Sequence, residues 1–296
     1  MRRRLPSLRV ARYEARSLRL SLVVVCVIGA VVSAGLCVEL FLRSRYFVAY
    51  DYQPTLADYV AFVMAGVSQP TPSSGVVEVQ HTLRIPFGWL ALVLLPSVWV
   101  LLVAEVRGGD AALVACGDRT SYWLGKCTVA LLGCVAVWLC VAAPCALFAL
   151  SGHAGLGLVA SDALPDVAGF AHETLALPPY DMVALVWEVP LVSCAVSLAQ
   201  LLLSLAVDAR LSFVVVAAQF AGSLYVMTPL IPGNLMSVAR SLVFVVPYQV
   251  EVQRGLTQAG IDPSLGIAIA GVLGVASIVC GALLAHHAIL FGGALK

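Results

Sequence analysis

Residues 105–127 read EVRGGDAALVACGDRTSYWLGKC, a polar island between two long apolar runs. It holds the glycine pair Gly108-Gly109, a capping aspartate at Asp110, then Gly117, Asp118, Arg119 and Lys126. The runs on either side, 86–106 and 122–150, are each long enough to cross about 30 Å of hydrocarbon. The island is therefore expected in water beside a membrane. Gly108-Gly109 ends the first run, Asp110 caps a short helix over 111–116, and Gly117 closes it. Thr120 or Ser121 then caps the next long helix. That arrangement predicts a small helix lying across the membrane normal on two stiff levers.

Composition extends this reading to the whole chain. The 296 residues are 61% hydrophobic and 11% charged, with a mean hydropathy of +0.99. Soluble domains are about half apolar and about a quarter charged, so the expected class is an all-α polytopic membrane protein, folded as a single transmembrane domain over residues 1–296. A net charge of +1 argues against nucleic acid as a partner. The nine cysteines are scattered, form no CxxC pair, and read as small hydrophobes with no metal or redox site among them.

Outward from the island, residues 1–19 predict an amphipathic interfacial helix. Leu8, Ala11, Ala15 and Leu18 recur at helical spacing, and Arg9, Arg12, Arg16 and Arg19 form a basic stripe suited to an anionic leaflet. Six spans follow, at about 20–42, 86–106, 122–150, 180–207, 211–230 and 264–291. Thr55 is placed to cap a short helix through Met64, with Leu56, Tyr59, Val60 and Val63 on one face. Trp89 and Trp123 read as interfacial aromatics at the ends of their spans. Pro232-Gly233-Asn234 is a strong turn signal, and the apolar stretch after it, ending at Pro247, is too short to span. It predicts a re-entrant or interfacial helix before the last span. In that last span Gly266, Ala270, Gly274, Ser277 and Gly281 line one face and allow another helix to approach closely.

Charge gives the expected sidedness. With both termini inside, twelve of the seventeen Lys and Arg residues fall on inner segments, among them Arg107, Arg119, Lys126, Arg210 and Lys296. The island 107–121 is then expected to face the cytoplasm, in a multi-pass chain.

No catalytic set is legible. The Gly125-Lys126-Cys127 step lacks the glycine and hydroxyl of a phosphate loop, so this chain is not expected to hydrolyse ATP. His172-Glu173 lacks the second histidine of a zinc protease motif, and adjacent His286 and His287 point in different directions. No catalytic, cofactor-binding or metal residue is assigned. Glu188, two residues before Pro190, stands out as an acid inside a span, and a buried carboxylate there is a functional candidate. Placement at the interface beside Trp187 is the alternative. Gln200 and Gln219 are further intramembrane polar groups, readable either as interhelical hydrogen bonds or as part of a transport path.

Several of these residues are similar to the permease subunits of ABC-2-type exporters. Pro86-x-x-Trp89 resembles the opening of that family's second helix, and Arg119-x-x-x-Trp123-x-x-Lys126 its third. Pro232-Gly233-Asn234-Leu235-Met236 with Arg240-Ser241 looks like its turn and outer helix before the last span. The resemblance runs along the whole chain as a pattern of elements, with loose individual motifs. It implies a permease that pairs with a second permease, identical or related, and with two copies of a separate ATPase that holds the ATP and magnesium. By that resemblance Asp110, Ala111, Leu113, Val114, Arg119 and Lys126, together with Arg12 and Arg16, would meet the ATPase. Glu188, Gln200 and Gln219 are candidates for the translocation path. A non-transporting sensor or assembly subunit sharing the fold is the alternative.

Overall fold

The computed structural model describes residues 6–46, 52–67, 86–105, 119–152, 155–170, 176–245 and 260–287. The island's short helix at 110–116 lies outside these residues. Five described helices are long and apolar enough to cross a membrane. They are α2 (Arg19–Tyr46), α4 (Phe87–Glu105), α5 (Arg119–Ser151), α7 (Val183–Ala206) and α10 (Pro263–His287). Their bounds match the expected spans within a few residues, because an uninterrupted apolar run leaves the backbone no option in hydrocarbon except to satisfy itself as helix. The chain is accordingly a helical, multi-pass membrane protein.

The expected span at 211–230 differs. Helix α8 (Ala209–Ser223) has 15 residues, about 22 Å of helix, and stops well before Leu230. The reason is a polar knot at its end. Buried Arg240 donates through Nη1 to the Ser223 carbonyl and to Asn234 Oδ1, and Asn234 Nδ2 donates to the Val226 and Thr228 carbonyls at 2.8 Å each. These bonds take up the carbonyls that a continuing helix would use. The positive guanidinium also sits at the negative end of the α8 dipole. Gly233 belongs to the same knot, since a Cβ there would lie 2.4 Å from Ser223 Oγ.

The expected helix between 236 and 248 is also absent among the described residues. In its place are a single turn, α9 (Pro232–Leu235), a 3-10 turn at Val238–Arg240, and a bridge between Ser241 and Ile261.

The three long connections of the chain converge on one end of the bundle as a cap. Helix α3 (Leu56–Val63) opens with the expected Thr55 cap, closed into a capping box by Asp58. Asp58 also reaches the next connection, accepting from Ser161 N at 2.8 Å. Strands β1 (Val159–Ala160) and β2 (Tyr180–Asp181) pair antiparallel, flanking the one-turn helix α6 (Leu164–Ala168). The third connection joins through Val238 N to Met64 O, Ala239 N to Ala65 O, and Ala176 N to Phe244 O. The Tyr180 ring stacks on Phe244. Around the border between cap and bundle, Tyr46, Phe87, Trp187 and Tyr225 are exposed, in the manner of an interfacial aromatic belt.

Trp89 and Trp123 do not belong to such a belt. Trp89 is buried and donates from Nε1 to Met236 O at 2.9 Å, tying α4 to the cap. Trp123 is buried and donates to Ile278 O in α10. The small-residue face of α10 has the close partners its sequence predicts. A Cβ at Gly281 would meet the Trp123 ring at 2.1 Å, and one at Gly266 would meet Glu188 Oε1 at 1.7 Å.

Candidate functional site at the basic end of the bundle

Opposite the cap lie α1 (Pro6–Ser17), the end of α4, the start of α5 and the short turn between α7 and α8. Helix α1 runs into α2 with little break, Leu18 N bonding to Glu14 O and Leu22 N to Leu18 O. Its buried side differs from the expected stripe. Ala11 and Leu18 face inward as expected, but Ala15 is exposed and Glu14 takes the inner position.

Glu14 is 0% exposed and Lys126 7%. Lys126 Nζ stands 3.6 Å from Glu14 Oε1 and donates to the Val103 carbonyl of α4 at 2.8 Å. The Tyr122 ring lies 5.5 Å from the same ammonium. One lysine therefore joins α1, α4 and α5. Among the described residues, neither Glu14 oxygen has a donor at bonding geometry. Lys126 and Tyr122 attract the carboxylate without fully satisfying it. Burial accordingly pushes the Glu14 carboxyl above its ordinary value, against the opposing pull of Lys126 and Tyr122.

The other predicted contacts of this end divide clearly. Arg12, Arg16 and Arg119 are exposed. Lys126 is buried and serves the internal joint, so it offers no free surface to a partner in this arrangement. Asp110, Ala111, Leu113 and Val114 lie outside the described residues. Arg210 pairs with Glu105 at 3.0 Å, a solvent-facing bridge between α8 and α4 that water and salt screen.

The three intramembrane polar candidates are not brought together. Glu188 is 2% exposed, packed against Gly266 of α10, with no hydrogen bond to it among the described residues. Gln200 is buried about 18 Å further along α7, where Nε2 donates to Ser97 O at 2.9 Å. Gln219 is exposed on the outward side of α8. Within one chain they form no continuous polar path among the described residues.

Sequence reasoning missed the burial of four charged residues, Glu14, Asp58, Lys126 and Arg240. Each has a partner distant in sequence that no local pattern announces. The cysteines, scattered in sequence, also meet in space: Cys37 and Cys145 lie 3.8 Å apart at sulfur, and Cys134 and Cys194 3.5 Å. None of the family models, curated proteins or solved structures compared with this chain matches it.

Proposed function

We propose that this chain is the permease subunit of an ATP-driven exporter in a bacterial plasma membrane. It forms the translocation path with a second permease and is powered by a separate ATPase present in two copies. In this reading α8 counts as a shortened fifth span, giving six spans with both termini on the cytoplasmic side, and the basic end faces the motor. The observation that carries the proposal is the joint at Lys126. It binds the exposed-arginine helix α1 to the ends of α4 and α5, the two helices that flank residues 106–118. Force applied to α1 or to those residues would reach the same point in the bundle.

The test is whether an ATPase co-purifies with the full chain and whether ATP drives transport in vesicles. Replacing residues 110–116 with a flexible linker should abolish coupled transport while leaving the chain folded and inserted. Unchanged coupled transport would remove the assignment. A second reading, a non-transporting sensor or assembly subunit, is favoured by the separation of Glu188, Gln200 and Gln219. It predicts ATPase association without ATP-dependent flux.

A further inference from the structure

A cavity of about 80 Å³ lies between α5 and α7 where they meet the cap. Trp138, Val141 and Cys145 of α5 face Leu185 and Val189 of α7 across it, and Met64 and Val238 of the cap close one end. Among the described residues, no charged or hydroxyl-bearing side chain lines it. Both helices that wall it carry an internal proline. Pro144 in α5 and Pro190 in α7 each remove a helical N–H and place a ring where the preceding turn would pack. Pro190 itself forms part of the wall.

The cavity is not sealed. Ala142 at its rim is exposed, and Val186 and Pro190 are half-buried, whereas Trp138, Val141, Leu185 and Val189 are buried. The rim is continuous with the outward face of the spanning helices, where Leu139 and Leu147 of α5 are each 66% exposed. Along the helix axes, Ala142 lies about 14 Å from the capped end of α5, and Pro190 about 10 Å from the start of α7. The mouth therefore opens sideways at the depth of lipid chains, on the capped half of the bilayer. Apolar cavities stay dry and take apolar guests; this one is about half the ~150 Å³ of a cavity that admits benzene. It suits the end of an alkyl chain.

We propose that this cavity is a lateral binding site for the acyl chain of a membrane phospholipid from the leaflet beside the cap. The occupant follows from continuity with the lipid-facing surface and from the apolar lining, and it does not depend on the exporter reading. The full chain would be reconstituted in phosphatidylcholine vesicles carrying a photoreactive diazirine near the chain end, with label mapped by peptide mass spectrometry. Labelling of Trp138–Cys145 and Met182–Pro190 should exceed that of the plainly exposed Leu132 and Val214 several-fold. Ala142→Trp, whose indole fills the mouth, should reduce the pocket label several-fold and leave Leu132 unchanged; Ala142→Leu is the gentler plug if the larger one does not fold. Even labelling of all outward residues, unaffected by either plug, would mean annular lipid only and would overturn the proposal. So would a pocket free of label beside normally labelled Leu132.

Discussion

Glu14 and Lys126 are both removed from solvent, and the balance between them is asymmetric. Removing one partner of a buried pair strands the other charge, at a cost of about 3–5 kcal/mol. Lys126→Met should therefore lower thermal stability sharply in detergent, and pairing it with Glu14→Gln should restore most of the loss. The acid carries a second signature. Because burial raises the Glu14 carboxyl above 4.5, the seated helix holds that proton more tightly than a free helix would. Its stabilising contribution is complete below 4.5 and fades as pH rises through the raised value. The melting temperature of the native chain should fall across that rise, and Glu14→Gln should flatten this component; an identical pH profile in the variant would sink the assignment. None of this was legible in the sequence. On a helical wheel Glu14 joins the polar stripe, and its partner belongs to a different helix far along the chain. Ala15 was read inward for the same reason: spacing identifies a stripe, and the rotation of the helix about its axis is set by what it packs against.

The spanning helices were the most legible elements, since each is a long apolar run whose length the bilayer dictates. The Thr55 cap of α3 was equally readable, because its bond to the Asp58 amide is local; the reciprocal bond from Asp58 was not read. The region after Ser223 was not. Its structure depends on Arg240 and Asn234 reaching back to α8, and an apolar stretch of about a dozen residues gives no hint of that. Packing between elements can be tested with the native thiols. Mild oxidation by iodine should join Cys37 to Cys145 and Cys134 to Cys194, since each sulfur pair needs to close by less than about 2 Å to reach bonding distance. Exposed Cys280 should remain unpaired. Mass spectrometry of the cross-linked peptides would report α2 beside α5 and α5 beside α7. Failure of both pairs to form, with the chain intact, would contradict that packing.

At the scale of the molecule, the convergence of three connections at one end agrees with an even alternation of crossings, in which a shortened α8 still carries the chain from one face to the other. Sidedness follows as a prediction. In a cysteine-free background, single cysteines at Asp162 and Leu177 should react with a membrane-impermeant maleimide from the outside of intact cells. Cysteines at Arg12 and Asp208 should react only after the membrane is opened. Labelling of all four from the same side would exclude this topology. The cap also has a mechanical consequence. Its connections are stitched by backbone hydrogen bonds from Val238 to Met64, from Ala239 to Ala65 and from Ala176 to Phe244, and α4 is pinned to it through Trp89. Helices riveted at one end cannot translate past one another there; they can only swing, like the ribs of a fan. The amplitude of any such swing grows with distance from the rivet, and it is greatest where α1, Lys126 and the Glu105–Arg210 bridge lie.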